Sequence, residues 1–362
     1  MLVSEFSYSL PEELIAKMPL ADRAASRLLH VERKSGKLRD AKFSEFPELL
    51  RPDDLIVFNN TRVFPARLLG TAIRKVSDSR PTGTRDSERR VEALLTSPVS
   101  PAVNGNSIQW NCLVRPGRYI KVGDQLSFGQ NHELTAEVTA AGNFGERTVR
   151  FRFAEDFYGL IERLGHVPLP PYLKRPANAE DRERYQTIYA RERGSVAAPT
   201  AGLHFTRAIL DRIAEREIES TEITLHVGLG TFQPVREEQV ENHSLHAEAY
   251  TISPPAAAAI NSALDQGRRV VAVGTTTVRT LEHAAGESGR VGAGDGRADI
   301  FIYPGYKFRA VSALLTNFHL PKSTLLMLVC AFAGTQRTLE AYRHAVDQRY
   351  RFYSFGDCMF IE

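Results

Sequence analysis

A chain of 362 residues, 43% hydrophobic and 25% charged, has the composition of an ordinary globular protein with room for two domains. No run reaches the roughly 20 apolar residues of a membrane span, Met1–Phe6 lacks a signal-peptide pattern, and Cys112, Cys330 and Cys358 are too few and scattered for a disulfide framework. A net charge of +3 permits nucleic-acid binding without arguing for it, so we expect a reduced, soluble, cytoplasmic protein.

Residues 1–66 mix helix and strand signals and end in the apolar run Leu55–Phe58 and the turn Asn59–Thr61. Between 67 and 153 the texture becomes short alternating strands: Val91–Leu95, Trp110–Val114, Gln125–Phe128, Leu134–Val138 and Thr148–Phe151. Glycine and proline turns separate them, which predicts a small β-barrel. Within it, 77–90 and 97–107 read as long polar surface loops.

After residue 154 helix and strand signals alternate. A helix over Arg207–Glu217 buries Ile209, Leu210 and Ile213, and strand Ile223–Val227 follows. Ser253 caps a helix with proline at its first turn, and Gly267 stops it. Strand Arg269–Val273 runs into the helix opened by Gly274; Ile300–Tyr303, Leu314–Leu315 and a buried helix capped by Ser323 come later. The prediction is a three-layer α/β/α main domain, discontinuous over 1–66 and 154–362 and catalytic, with a β-barrel inserted at 67–153.

Two glycine-bearing turns stand out, Ser195–Thr206 and His226–Val235. Glycine lets backbone amides approach a ligand closely, so the pair suggests one pocket built from neighbouring loops. The strand-to-helix turn Val273–Thr277 is a second candidate, because free amides, the helix dipole and three hydroxyls favour an anion; helix capping by threonine is the plain alternative. Gly228-Leu-Gly230 lacks the third glycine of a dinucleotide fingerprint, and Gly292–Gly296 reads as a flexible hairpin or loop. His204, His226, His243, His246 and His319 lie in or near motif turns without metal-ligand spacing, so no metal is expected. General acid or base chemistry suits them better, because imidazole titrates near neutrality. Basic residues interleaved with tyrosines at Lys174–Arg193 and Arg337–Tyr353 suit either RNA or a solvated helix face.

Several segments together resemble the S-adenosylmethionine:tRNA ribosyltransferase-isomerase family of queuosine biosynthesis. They are Leu10–Ala16, Asn59–Val63 with Pro65–Arg67, Ala198–Thr206, His226–Phe232, His246–Tyr250, Val273–Thr280, Thr316–Met327 and Phe352–Asp357, in family order along nearly the whole chain. The resemblance implies transfer and isomerisation of the ribosyl moiety of S-adenosylmethionine onto 7-aminomethyl-7-deazaguanine at the wobble position of tRNAs with GUN anticodons. Epoxyqueuosine-tRNA, adenine and methionine are the implied products. S-adenosylmethionine is then a substrate, and no metal is required.

On that resemblance, His204 or His226 is the base or acid, with Glu248 and Asp357 as polar partners. Thr275, Thr276 and Thr277 would hold a carboxylate or phosphate, and Phe205, Phe232 and Phe318 would supply stacking surface. Thr200, Gly202, Gly228, Gly230, Asn317 and His319 complete the expected donor-binding set, and Arg62, Arg279 and Lys322 are candidates for phosphate contacts. The rival readings are an S-adenosylmethionine-dependent tRNA methyltransferase and a non-catalytic RNA-binding module. The expected state is a monomer, since no heptad or large apolar stripe is visible.

Overall fold

The computed structural model describes residues 1–73, 89–103, 106–228, 235 and 237–362. Its strands in chain order are β1 Arg27–Val31, β2 Leu38–Lys42, β3 Leu55–Asn59, β4 Thr61–Val63, β5 Arg67–Ile73, β6 Arg89–Val103, β7 Ser107–Arg115, β8 Gln125–Phe128, β9 Leu134–Ala141 and β10 Glu146–Arg152. They continue as β11 Glu192–Ser195, β12 Glu219–Leu225, β13 Glu248–Ile252, β14 Val270–Val273, β15 Gly294–Ala298, β16 Ala313–Asn317 and β17 Cys358–Ile361. The helices are α1 Phe46–Leu49, α2 Phe157–Leu164, α3 Asp181–Arg184, α4 Arg207–Glu215, α5 Pro254–Asp265, α6 Thr275–Ala285, α7 Thr324–Ala333 and α8 Thr335–Asp347.

The chain divides into two compact units, Met1–Arg62 with Glu183–Glu362, and Val63–Arg182. The first is built on a nine-stranded mixed sheet in the order β15-β13-β12-β3-β14-β16-β17-β1-β2. Its central strands are buried on both faces, and their side chains sort by parity as the pleat requires. Leu55, Val57, Val270, Ala272, Leu314, Met359 and Ile361 face the core shared with α5–α8. Ile56, Phe58, Val271, Val273, Leu315 and Phe360 face the other, against Phe46 of α1 and Ile209 and Ile213 of α4. The expected α/β/α layering is present.

Caps placed by sequence also appear. Ser253 Oγ accepts from Ala256 N, Pro254 opens α5, and Gly267 follows it at φ +67°. Ser323 caps α7 through Leu326 N; Thr206, which sequence did not mark as a cap, caps α4 through Ile209 N.

The second unit contains a closed barrel in the order β10-β7-β6-β5-β8-β9. Its interior is filled by alternate residues such as Ala93, Leu95, Trp110, Cys112 and Val114, all buried. One expected loop is corrected: 97–103 continues β6, and β7 resumes at Ser107. Three register shifts between Leu95 and Val103 let the ladder absorb Pro98. β5 pairs with β6 only as far as Leu94, so the proline takes a position with no second ladder to break. Of the other expected loop, 77–88 lie outside the described residues, and Arg89 and Arg90 belong to β6.

Two further readings change. The glycine-rich stretch read as a hairpin or loop forms β15 from Gly294, an edge strand antiparallel to β13, where Tyr250 covers Gly296 so closely that an added Cβ would sit 2.3 Å from its ring. Ile300–Tyr303 runs outside any ladder; Ile300 and Ala298 instead give their carbonyls to Arg279.

Candidate active site

Sheet topology decides where the motif turns meet. β12, β3, β14 and β16 are parallel neighbours, so their C-terminal ends share one rim. β13 and β17 run antiparallel to β12 and β16, and β1 runs parallel to β17, so these three begin at that rim. The rim therefore collects His226 and Gly228 after β12, Asn60 and Thr61 after β3, Gly274–Thr277 after β14 and Asn317 closing β16. Glu248 opens β13 there, and Asp357 and Ser26 precede β17 and β1. Ligands of open α/β sheets bind outside such carboxyl ends.

His226 is anchored by residues remote in sequence. Its Nδ1 lies 2.8 Å from Thr61 Oγ1, whose hydroxyl also reaches the carbonyl of Glu192 at 3.5 Å. A hydroxyl that donates to that carbonyl accepts from Nδ1–H, which leaves Nε2 with its lone pair. Among the described residues Nε2 takes no hydrogen bond. Burial lowers the pKa of His226, and Glu192 acts the opposite way, so the ring is neutral at neutral pH. The strand end before it is held by Asn59, which donates to Leu225 O and accepts from its N, while Ser195 Oγ accepts from Val227 N.

Gly194 backs the His226 ring at φ +149°, and an added Cβ would lie 2.7 Å from the imidazole. Gly194→Ala is expected to push the ring off Thr61, costing about 1–3 kcal/mol by overpacking and lowering turnover. Thermal denaturation and steady-state rates read the two effects separately.

His204 ends the 3-10 turn Thr200–His204 that crosses the rim, where Ala201 faces Gly274. Its Nδ1 meets Ser26 Oγ at 2.7 Å and its Nε2 accepts from Asn317 Nδ2 at 3.2 Å. Burial, with Arg23 and Arg351 nearby, depresses its pKa to about 3. Both nitrogens are engaged and the ring packs on Phe43, so His204 is held between Ser26 and Asn317. It lines a cleft with Arg23, Arg184, Leu203, Ser354 and Phe355. Arg23 and Arg184 hold the walls together by donating to the carbonyls of Gln186 and Leu20. Beside them Gly202 lies against the Tyr189 hydroxyl, 2.1 Å from where a Cβ would stand.

At α6 the N-cap is Gly274 at φ +93°, and no threonine caps the helix. Thr277 Oγ1 donates back to Val273 O. Thr276 Oγ1 and Asn317 Oδ1 are both buried, and among the described residues neither has a hydrogen-bond partner. Thr276 lies in the first turn of α6, at the positive end of its dipole, and Asn317 closes β16, the strand beside the one that leads into α6.

Other expected residues are placed differently. Arg279 is buried and ion-paired with Glu248 at 2.6 Å, and it also donates to Ala298 O and Ile300 O, so it is spent inside the protein. Glu248 in turn accepts from Gly228 N at 2.8 Å and fixes the glycine turn. Asp357 accepts from the amides of Arg27 and Arg351, and burial raises its pKa; it braces the loop that carries Ser354 and Gly356. Phe205 packs among Phe43, Phe46 and Phe58, and Phe318 among Tyr342, Tyr350 and Phe352, all in the core, so neither offers a face to a nucleobase. His319 is buried against Thr316 with its pKa lowered to about 3. Thr200 is half-buried, and Arg62 and Lys322 are exposed. Gly230 and Phe232 lie outside the described residues.

Sequence reasoning passed over Ser26 and Gly194, and it took Ser195 only as the first residue of a motif turn; Gly194 carried a signal as the glycine just before that turn. Among the described residues no three His, Cys, Asp or Glu side chains converge as metal ligands, and no helix is long and apolar enough to cross a membrane.

Comparison with known proteins agrees along the entire chain. The family model described as "Queuosine biosynthesis protein" matches residues 3–361. A relative from Solibacter usitatus named S-adenosylmethionine:tRNA ribosyltransferase-isomerase is 52% identical, and one of the same name from Symbiobacterium thermophilum is 51% identical, each alignment covering 100% of both chains. A crystal structure of S-adenosylmethionine tRNA ribosyltransferase from Thermotoga maritima is similar with a TM-score of 0.54 and 35% identity, over 99% of this chain and 100% of that one.

Proposed function

Because the chain belongs to the queuosine biosynthesis protein family, we propose that it is the ribosyltransferase-isomerase that uses S-adenosylmethionine and tRNA as its substrates. The acceptor is the amine of 7-aminomethyl-7-deazaguanine at the wobble position of GUN anticodons, and the products are epoxyqueuosine-tRNA, adenine and methionine. One observation carries the reading: relatives bearing that activity in their names align with this chain from end to end at about half identity.

S-adenosylmethionine supplies a sulfonium that acidifies the adjacent ribose carbon and leaves as neutral methionine. The chain's own groups serve that chemistry on the rim of the first unit, Met1–Arg62 with Glu183–Glu362. His226 Nε2 takes the proton, and Thr61 holds its ring in the tautomer that can. Thr276 Oγ1 and the first amides of α6 receive the methionine carboxylate, which fits a buried hydroxyl otherwise lacking a partner. Asn317 Oδ1 accepts from an N–H of the same donor, held in place by His204. Exposed Arg62 and Lys322 meet RNA phosphates, and the protein acts as a monomer.

The test is incubation with S-adenosylmethionine and precursor-modified tRNA. Free adenine supports the proposal, S-adenosylhomocysteine identifies a methyltransferase, and neither product leaves a binding module. Thr276→Val is expected to raise KM for S-adenosylmethionine by roughly 10–100-fold, the worth of one hydrogen bond to a charged group. KM for tRNA should not move, and an unchanged KM for the donor would remove Thr276 from the site.

A further inference from the structure

Part of the basic and aromatic clusters that sequence suggested for RNA is engaged within the protein, while Arg193, Arg343 and Arg349 stay exposed. Arg175 pairs with Asp181, Arg182 and Arg184 donate to backbone carbonyls, and Tyr185, Tyr342 and Tyr350 are fully buried. A different cluster, on the barrel, is set apart by two guanidiniums stacked on one exposed ring. Arg89, Arg118 and Tyr119 are all exposed, with Tyr119 at 43%. The guanidinium of Arg89 lies 4.1 Å from the centre of the Tyr119 ring and that of Arg118 lies 4.4 Å from it.

The turn that presents them is held from beneath. Arg147 is buried and donates to the carbonyls of Ile120 at 2.9 Å, Glu146 at 2.6 Å and Gly117 at 2.5 Å, so one guanidinium ties the 3-10 turn Gly117–Tyr119 to the start of β10. Among the described residues no carboxylate pairs with Arg89 or Arg118. Of the neighbouring acids that are described, Glu92 bonds Arg67 and Asp124 accepts from the amide of Lys121, while Asp86 and Glu88 lie outside the described residues. Exposed Arg90, Arg115 and Lys121 add to the same sign of charge.

We propose that Arg89 and Arg118, ordered on Tyr119, form a phosphate-binding platform for the backbone of the RNA substrate. Guanidinium forks match phosphate oxygens bidentately, and stacking on an aromatic ring keeps them extended with little ordering left to lose on binding. Two exposed guanidiniums stacked on the tyrosine of a braced turn, with no carboxylate partner among the described residues, suit a polyanion better than a neutral or acidic partner. The inference rests on the tRNA reading above and gives the barrel a role in it, an attachment point outside the reacting base.

The experiment uses the full chain and unmodified tRNA, titrated across a range of salt concentrations. For R89Q/R118Q the slope of log affinity against log salt should become shallower by roughly 1.5–2, the share of two phosphate contacts. The lysine pair R89K/R118K should keep the wild-type slope, and Tyr119→Leu should weaken tRNA binding while leaving the slope largely intact. KM for S-adenosylmethionine, turnover at saturating precursor-modified tRNA and the unfolding midpoint should stay at wild-type values in all three. An R89Q/R118Q protein with wild-type tRNA affinity and slope overturns the platform while leaving the enzymatic reading standing. A wild-type protein that binds tRNA but releases no adenine overturns the enzymatic reading, and the slopes still decide the platform.

Discussion

His226→Ala should lower turnover by roughly a hundred- to ten-thousand-fold, the range that a positioned acid or base contributes. The expectation follows from three local facts: Nδ1 is tied to Thr61, Nε2 takes no hydrogen bond among the described residues, and burial keeps the ring neutral. KM for S-adenosylmethionine should change little, since the carboxylate is assigned to α6.

The pH dependence carries a sign. A base works only when deprotonated, and the pKa of His226 is lowered from 6.5, so activity holds through neutral pH and falls as pH drops through that lowered value. The acid limb of kcat/KM should therefore lie below pH 6.5 and vanish in His226→Ala. Thr61→Val should move the same limb, because it removes the partner that sets the tautomer. Full turnover in His226→Ala, with adenine still released, would pass the base to another group.

Arg279→Ala should destabilise the protein by about 3–5 kcal/mol, the cost of leaving one member of a buried ion pair alone. Glu248 would keep its bond from Gly228 N but lose its guanidinium partner at 2.6 Å, while the carbonyls of Ala298 and Ile300 would lose their donor. A Glu248→Gln, Arg279→Met double variant should recover part of that loss, since it removes both charges together. Denaturant titration measures the difference. Turnover should remain low in the double variant as well, because the glycine turn after β12 depends on the carboxylate of Glu248. Wild-type stability in Arg279→Ala would mean that the pair is solvated, contrary to its burial.

The residues that sequence singled out and the structure kept together share a feature. Thr275–Thr277, Asn317, Glu248 and His226 each stand at the end of a strand, so once β12, β3, β14 and β16 run parallel the motifs arrive at one rim. Those that changed meaning were aromatic or charged side chains whose direction is a matter of packing. Phe205 and Phe318 follow motif turns as a stacking residue would, yet among the described residues Phe205 is closed in by four other rings and Phe318 by three. Arg279 lies in the α6 motif as a phosphate ligand would, yet its helix turns it toward Glu248.

Local patterning was enough to announce strands, caps, a barrel texture between two α/β stretches and the glycine turns, since these depend on dihedral preference and on alternation along a few consecutive residues. It was silent on which histidine can accept a proton. That depends on Thr61, 165 positions away from His226, and on Ser26, 178 positions away from His204. A hydroxyl facing an imidazole sets its tautomer, and a closed core sets its charge; neither leaves a trace in the neighbouring residues of the chain.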